Sequence, residues 1–430
     1  MAVNTNNTLK NDVIYSVYVR NYGENGIFKE VEEDLERIKD LGVDIIWLMP
    51  IHPIGVKNKK GSLGCPYAIK DYRKINPEYG TLEDFKSLLN EIHNKGMKCI
   101  IDVVYNHTSP DSWLVENHPE FFYRRKDGSF GNRVGDWTDV IDLNYENKAL
   151  WDYQIETLKY WVSMGVDGFR CDVASMVPID FWKKAREEVS KINKDTIWLA
   201  ESVHLSFVKA LRKEGVNAHS DCELYEAFDI LYDYDVNEEF NNYFNGKGRL
   251  KDYINMLSLQ ESIYPNNYIK LRFLENHDQE RAMKKIKDFE LLKVWTKFMY
   301  FQKGTSLIYN GQEALEEKTP SLFDIDKINF KNTNEELVNL FRSLYSMKKD
   351  KIFREGYYDI NTIDNKEIVV AVYEMNNEKL YGIFNFGKTT DEIDIEIKDG
   401  EYLDLIENKK VIVKDNKLSL GKEALIFKVN

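Results

Sequence analysis

The feature that most constrains the fold of this chain is a regular alternation of short apolar segments and amphipathic helical segments over the first 350 or so residues. Such alternation is typical of a parallel sheet covered by helices. In one unit, Thr81 and Asp84 form an N-cap pattern, Gly96 ends the predicted helix, and an almost wholly apolar strand follows. Eight strands can be counted, which predicts a closed (β/α)8 TIM barrel. The predicted strands are 13–19, 44–49, 97–104, 166–171, 196–200, 223–228, 269–274 and 305–309.

Two parts of the chain depart from this alternation. Residues 108–144 carry many aromatic, glycine and charged residues but no clear long helix, and we predict a short domain inserted after the third strand. From about Lys351 apolar and polar residues alternate, as in an antiparallel β domain with turns such as Asn376-Asn377. The predicted domains are a barrel over 1–107 and 145–350, an inserted domain over 108–144, and a C-terminal β-sandwich over 351–430.

The charge balance and the cysteines restrict the environment of the protein. The chain has 72 acidic and 59 basic residues, which disfavours nucleic acid or an anionic membrane surface as a partner. No apolar run is long enough to span a bilayer, and the polar first ten residues lack the apolar core of a secretory signal. The four cysteines are scattered without the spacing of a metal site. We therefore expect a cytoplasmic protein.

Chemically capable side chains occur at the ends of four predicted strands. In a barrel of this type the active site lies at the carboxyl ends of the strands, so residues from distant parts of the chain meet at one rim. Any one of these residues alone is more readily explained as a buried ion pair or a helix cap. Their occurrence at four strand ends predicts a site. The residues are Asp102 with His107, Arg170 with Asp172, Glu201, and His277 with Asp278.

This set of residues suits the cleavage of glycosidic bonds. That reaction needs one carboxylate at the anomeric carbon and one protonated acid at the leaving oxygen. Glu201 follows the apolar residues Trp-Leu-Ala, a setting in which a carboxyl group retains its proton. Arg170 lies two residues before Asp172, so both side chains point to the same face of a strand and the arginine favours an ionised aspartate.

The same segments resemble the signature regions of the α-amylase family of glycoside hydrolases (family 13 type). Residues 102–107 (DVVYNH) resemble the first region, 168–172 (GFRCD) the second, 200–201 (AE) the third and 276–278 (NHD) the fourth. Residues 42–50, 66–81, 141–144 and 304–313 resemble further segments of the family, and the β tail fits its C-terminal domain. The resemblance spans about residues 13–350 and implies a retaining enzyme that acts on α-glucans.

The resemblance also implies a role for each matching position. Asp172 would be the nucleophile, Glu201 the general acid/base and Asp278 the carboxylate that holds sugar hydroxyls in the transition state. The resemblance also implies five substrate-binding residues. Arg170 would hold Asp172, and His107 and His277 would bind hydroxyls of the sugar being cleaved. Tyr67 would stack on the ring of that sugar, and Asp102 is the fifth of these residues.

Two departures from the family pattern bear on function. Many members carry Lys-His shortly after the nucleophile, at the sugar beyond the scissile bond, whereas this chain has Ser175-Met176. Asn106 and Asp142 match positions that often bind a structural calcium in secreted relatives. Since the inserted domain is short here, calcium is possible but not required, and we expect no other metal or cofactor.

Three functions are compatible with these residues. The leading hypothesis is hydrolysis of α-1,4 bonds in maltooligosaccharides or α-glucans by double displacement, with the sugar substrate as the partner. The alternative is a glucosyltransferase, or an α-glucosidase that acts on α-1,6 bonds, sucrose or trehalose, because a glycosyl-enzyme can react with water or with another hydroxyl. A catalytically silent binding subunit is disfavoured, because such proteins typically lack one or more of the three carboxylates.

Overall fold

The strands up to residue 309 form a closed barrel and one small ladder outside it. The computed structural model describes residues 5–363, 366–387 and 390–429. Eight parallel strands close in the order β1-β10-β9-β8-β7-β6-β3-β2, which confirms the predicted (β/α)8 barrel. In this ring β1 and β7 lie opposite each other. The strands are β1 (Val13–Val17), β2 (Ile45–Leu48), β3 (Lys98–Val103), β4 (His107–Thr108), β5 (Ile141–Asp142), β6 (Gly168–Cys171), β7 (Ile197–Ala200), β8 (Ile230–Tyr232), β9 (Lys270–Arg272) and β10 (Thr305–Tyr309).

Helices cover the outside of the barrel. The helix from 82 to 94 shows why they form: the Thr81 hydroxyl accepts from the Asp84 amide at 3.2 Å, and the Asp84 carboxylate accepts from the Thr81 amide at 2.7 Å. Gly96, at φ +70°, follows its end. The helices are α1 (Phe28–Glu33), α2 (Leu35–Asp40), α3 (Leu82–Asn94), α4 (Trp113–Asn117), α5 (Lys148–Ser163), α6 (Ile179–Ser190), α7 (Leu205–Lys213), α8 (Asp221–Leu224), α9 (Tyr234–Phe244), α10 (Leu250–Ile263), α11 (Ala282–Lys285), α12 (Phe289–Phe301), α13 (Glu335–Lys348) and α14 (Ile352–Glu355).

The sixth barrel strand is not where the sequence pattern placed it. Residues 223–228 were the predicted strand, but α8 occupies the first part of that range, and the strand is β8, from 230 to 232. The helix starts with a capping box, in which the Glu223 carboxylate accepts from both the amide and the hydroxyl of Ser220 at 2.7 Å. The Ser220-x-x-Glu223 pattern is itself a helix-start signal. The prediction of this strand was therefore wrong.

The segment after β3 leaves the barrel and returns to it. Its two ends pair as the antiparallel strands β4 and β5, with His107 opposite Asp142. Between them lie α4 and irregular backbone that carries Trp137, whose ring centroid is 5.4 Å from that of His107. The inserted segment thus places an aromatic side chain beside a residue at the carboxyl end of a barrel strand.

The C-terminal part consists of two antiparallel sheets, as predicted. The first sheet has the order β11-β12-β13-β18 and the second β14-β17-β16-β15. The β12–β13 hairpin turns at Asn376 and Asn377, both with positive φ (50° and 71°), as a tight hairpin turn requires. Trp295 of the barrel stacks on Phe386 at 4.0 Å and joins the two parts. The strands are β11 (Tyr357–Ile363), β12 (Ile368–Met375), β13 (Glu378–Asn385), β14 (Asp391–Asp394), β15 (Gly400–Leu403), β16 (Lys410–Lys414), β17 (Lys417–Leu420) and β18 (Ala424–Val429).

Membrane-spanning structure was not expected from the sequence. No helix of the described residues combines the length and the apolar character that a membrane span needs.

Candidate active site

One buried guanidinium lies at the centre of the site. Arg170 on β6 is fully buried, and its Nη1 donates to Asp102 Oδ1 at 2.9 Å and to Asp172 Oδ1 at 2.8 Å. Its Nη2 forms an ion pair with Glu201 Oε2 at 2.9 Å, without the alignment of a hydrogen bond. Parallel pairing brings these residues together, since Asp102 is the register partner of Arg170. One cation therefore holds carboxylates from three neighbouring strand ends.

Asp172 presents one engaged and one unengaged carboxylate oxygen. The residue is 5% exposed and follows β6, where its amide donates to the Val103 carbonyl at 2.9 Å. Oδ1 accepts from Arg170, whereas the buried Oδ2 has no hydrogen-bond partner among the described residues. His107 Nε2 lies 3.9 Å from Oδ2. Burial raises the pKa of Asp172 to about 6, although the charge of Arg170 acts in the opposite direction.

Glu201 follows β7 and has the more strongly raised pKa of the two. Burial raises the pKa of Glu201 to about 7, with Arg170 opposing and the charges of Asp172 and Asp278 adding to the rise. The Val173 amide donates to Oε2 at 2.8 Å. Val173 has a left-handed backbone (φ 41°), which is rare for a β-branched residue and directs this amide at Glu201. Because the charge of Asp172 raises the pKa of Glu201, the two carboxyl groups titrate as a coupled pair.

Asp278 is the most exposed of the three carboxylates. Its side chain is 39% exposed, and its amide donates to Asn276 Oδ1 at 2.9 Å. His277 Nε2 lies 3.1 Å from Asp278 Oδ2. Burial penalises the charge of Asp278, but His277, Arg170 and His204 together outweigh this effect and hold the pKa of Asp278 below its usual range. This group is therefore ionised at neutral pH and faces the solvent side of the site.

Tyr67 links the loop after β2 to Asp102 and His277. Its hydroxyl donates to Asp102 Oδ2 at 3.1 Å and lies 2.8 Å from His277 Nε2. Its ring stacks on that of His277 with centroids 5.5 Å apart and planes at 17°. Tyr67 therefore forms part of the wall of the site.

A pocket of about 220 Å³ opens onto these side chains. Six of the eight predicted site residues line it, whereas Asp102 and Arg170 are fully buried beneath it and do not. These two residues thus position Asp172, Glu201 and Tyr67, and the structure gives them no direct access to a bound sugar. The pocket lining is Lys60, Cys65, Tyr67, His107, Trp137, Asp139, Val140, Asp172, Val173, Glu201, His277, Asp278, Leu322 and Phe323.

Sequence reasoning missed several residues of the site. The Arg170 Nε donates to the Tyr232 hydroxyl at 3.2 Å, and the guanidinium carbon lies 5.3 Å from the ring centroids of both Tyr232 and Trp47. Tyr232 was missed because it ends the misplaced sixth strand. The apolar run Ile230-Leu231 directly before Tyr232 and Asp233 was the available signal, since the other site residues also end apolar runs.

The two residues named for a possible calcium, Asn106 and Asp142, both contact other side chains. Asp142 is fully buried, and its Oδ2 accepts from the Arg133 amide at 2.8 Å and from Arg133 Nη1 at 3.2 Å. Asn106 Nδ2 lies 3.1 Å from His107 Nδ1. Calcium takes six to eight oxygen ligands, and the buried Asp142 Oδ1 has no hydrogen-bond partner among the described residues, so calcium binding here stays a prediction. Within the described part of the chain, no group of three or more His, Cys, Asp or Glu side chains could hold a metal ion.

The positions that differ from the family pattern lie beside Glu201. Ser175 is buried and accepts from the Val203 amide at 3.2 Å, and Met176 packs against an apolar cluster containing Val173 and Val203. Trp137 packs on the same cluster. The side of the pocket next to Glu201 is therefore bounded by an apolar wall rather than by a lysine and a histidine.

A parallel barrel with two coupled carboxylates and a third beside them defines an enzyme that acts on glycosidic bonds. The family model "Alpha amylase, catalytic domain" matches residues 5–129 and 111–361, and "Bacterial Alpha amylase C-terminal domain" matches residues 359–427. The chain belongs to the α-amylase family and is a glycosidase or transglycosidase of that family.

Individual relatives agree with this assignment. The chain is 45% identical to an alpha-amylase structure from Lactobacillus plantarum, with a TM-score of 0.95 over 99% of this chain and 100% of that one. It is 35% identical to a noncanonic maltogenic alpha-amylase structure from Thermotoga neapolitana, with a TM-score of 0.87 over 98% and 99%. "Alpha-amylase 2" of Dictyoglomus thermophilum is 26% identical over 92% of this chain and 69% of its own length. Other relatives are named oligo-1,6-glucosidases, intracellular maltogenic amylases and maltosyltransferases.

Proposed function

We propose that the protein hydrolyses α-1,4-glucosidic bonds of maltooligosaccharides or α-glucans with retention, through a glycosyl-enzyme on Asp172. The observation that carries this proposal is the shared guanidinium of Arg170, which holds Asp172 and Glu201 side by side at one pocket. Neighbouring carboxylates of this kind support double displacement, in which one acts as nucleophile and the other as acid and then base.

Asp172 suits the role of nucleophile because its two oxygens differ. Arg170 orients the carboxylate through Oδ1, and the buried Oδ2 is left without a hydrogen-bond partner at the pocket. In the first step Oδ2 forms a bond to the anomeric carbon as the bond from that carbon to the leaving oxygen breaks. The proton of Glu201 passes to the leaving oxygen.

Glu201 suits the role of acid and then base because its pKa depends on Asp172. The negative charge of Asp172 contributes to the raised pKa of Glu201. Once Asp172 is esterified to the sugar that charge is gone, so the pKa of Glu201 falls and the carboxylate can accept a proton from water. The water oxygen then attacks the anomeric carbon, and Asp172 leaves as a carboxylate.

The remaining residues of the pocket bind the sugar in this proposal. Asp278 is ionised and partly exposed, so it can accept hydrogen bonds from sugar hydroxyls. Burial lowers the pKa of His107 to about 4, so its ring is neutral at pH 7. Since Nδ1 accepts from Asn106 Nδ2, Nε2 carries the proton and can donate to a sugar hydroxyl. Tyr67 lines the pocket beside His277.

The direct test measures maltooligosaccharide hydrolysis by Asp172→Asn and Glu201→Gln. We expect kcat/KM to fall by about 10⁴-fold or more for Asp172→Asn and by about 10²- to 10⁴-fold for Glu201→Gln. Proton NMR of the first product formed should show the α-anomer. Glu187→Gln, an exposed carboxyl on α6, is the matched control and should behave like the parent. Parent-like activity in both active-site variants, or a β-anomer as first product, would contradict the proposal.

Transfer to a second sugar is the alternative, and one observation favours it. Val173 and Trp137 line the pocket near Glu201, where the attacking hydroxyl must approach, and Met176 and Val203 belong to the same apolar cluster. Such a surface holds a sugar ring better than it holds an isolated water. Chromatography of the products from maltotriose separates the two functions, because transfer yields chains longer than the substrate.

A cytoplasmic location remains a proposal. It is supported by the four cysteines, all of which are free thiols, as is usual in a reducing compartment. Fractionation of the producing cell with an antibody against the protein would test it.

A further inference from the structure

We propose that the pocket is closed on the side opposite Glu201 by three joined segments, so that the enzyme cleaves sugars from the non-reducing end of a chain rather than at internal bonds. This inference rests on the proposed function. The closing structure, here called the rim, consists of residues 60–65 after β2, 139–140 of the inserted segment, and 322–324 after β10.

The first junction of the rim joins the β2 loop to the inserted segment. Lys60 Nζ lies 3.0 Å from Asp139 Oδ1 and donates to the Asp136 carbonyl at 3.2 Å. The Asp139 side chain is 5% exposed, and both members of the ion pair line the catalytic pocket. Because Asp139 is held between the pocket and Lys60, the ion pair forms a wall of the pocket rather than a distant surface contact.

The second junction joins the same loop to the segment after β10. The Leu63 amide donates to the Phe323 carbonyl at 3.0 Å, and the Ser62 hydroxyl and amide donate to Asp324 Oδ1 at 2.6 and 2.9 Å. A Cβ on Gly61 would lie 2.5 Å from Phe323 Cβ, so the two segments are packed directly against each other. Phe323 also lines the pocket. The rim is thus continuous across three loops.

The barrel topology places the rim opposite the acid. Two of the rim segments follow β2 and β10, which flank β1 in the closed ring, whereas Glu201 follows β7 on the other side of the ring. The third segment is held to the β2 loop through the Lys60–Asp139 ion pair. Glu201 protonates the leaving oxygen, so the leaving part of the chain lies on its side. The part bonded through the anomeric carbon, which is the non-reducing part, must then lie toward the rim.

The pocket of about 220 Å³ is bounded on the rim side by Lys60, Asp139 and Phe323. A longer non-reducing part would have to pass through the Lys60–Asp139 ion pair or the Phe323 contact. The structure therefore favours chain-end cleavage with release of short sugars.

The test compares two probes: nitrophenyl α-maltoheptaoside, and the same compound with an ethylidene group across the last two hydroxyls of its non-reducing end. Cleavage is followed by chromatography of the nitrophenyl products. We expect the parent to cleave the blocked probe at least about tenfold more slowly, because the blocking group cannot be seated against the rim. Equal rates on both probes would overturn chain-end action while leaving the proposed hydrolysis intact. Cleavage of neither probe, or of any maltooligosaccharide, would contradict the proposed function itself.

Two variants test whether the rim causes this selectivity. Lys60→Met keeps the length of the side chain but removes the ion pair, and Asp324→Ala removes the second junction. We expect each variant to reduce the ratio between the rates on the unblocked and the blocked probe at least about threefold. Lys57→Met, an exposed lysine of the same loop that does not line the pocket, is the matched control. Circular dichroism melts verify folding. A parent-like ratio in both folded variants would overturn the assignment of the closure to the rim.

Discussion

Replacing Arg170 by methionine should move the whole pH profile of the enzyme to higher pH. In the parent, burial raises the pKa of Asp172 to about 6 and that of Glu201 to about 7, while Arg170 opposes both shifts. The active form has Asp172 ionised and Glu201 protonated. The parent should therefore show a bell-shaped kcat/KM with limbs near pH 6 and pH 7.

The size of the expected shift in the pH profile follows from the positive charge that Arg170→Met removes. A cation within hydrogen-bonding distance lowers the pKa of a carboxyl group by about 1 to 3 units. Without Arg170 both pKa values rise, so at pH 7 the ionised fraction of Asp172 falls by a factor of about 2 to 90. The protonated fraction of Glu201 rises by up to about twofold at the same time, so we expect the two ionisations alone to lower kcat/KM at pH 7 by up to about 50-fold. The maximum should move above pH 7, because both limbs shift in the same direction.

The assay is a kcat/KM profile on maltotriose from pH 4 to pH 10, with product quantified by chromatography. Removing a buried ion partner also costs folding free energy of about 3 to 5 kcal/mol, so a matched control is needed. Arg186→Met supplies it, because Arg186 binds Asp229 at 2.6 Å outside the pocket. Arg170→Lys keeps the charge and should shift the profile less. A folded Arg170→Met enzyme with reduced activity but limbs at the parent's pH values would refute the reasoning.

Three further predictions concern stability and binding. Burial lowers the pKa of Lys348 to about 7, below its value in the unfolded chain, so the charged side chain destabilises the fold fully below pH 7 and progressively less from pH 7 to about 10.5. Lys348→Met should therefore raise the melting temperature more at pH 6 than at pH 9. An equal rise at both pH values would contradict this prediction. Because Arg133 pairs with Asp142, EDTA should leave the melting temperature of the parent unchanged, and Arg133→Met should lower the melting temperature. If EDTA lowers the melting temperature of the parent and calcium restores it, the protein has a metal site. Asp278→Asn should lower kcat/KM by about 10²- to 10³-fold. It should not lower the melting temperature, because the Asp278 side chain is 39% exposed. A parent-like kcat/KM would argue against a role of Asp278 in stabilising the transition state.

The barrel was predictable because its signals are local. Each parallel strand is a short apolar run, and the start of α3 is marked by Thr81 and Asp84 within four residues. The prediction of the sixth strand was wrong for a local reason as well. Residues 223–228 are apolar enough to be a strand, but the capping box at Ser220 and Glu223 starts a helix that covers the beginning of that range. The misplaced strand then hid Tyr232, a direct partner of Arg170.

The sequence by itself determined the barrel, the C-terminal β domain and the identity of the six predicted residues that line the pocket, because strand ends and signature segments are written in consecutive residues. Only the tertiary structure decided that one guanidinium joins Asp102, Asp172 and Glu201, and that Arg133 pairs with Asp142. It also decided that Lys60 pairs with Asp139 at the pocket. Apart from Arg133–Asp142, these contacts join segments far apart in the chain, and their geometry follows from how the strands pack around the closed barrel rather than from any local pattern.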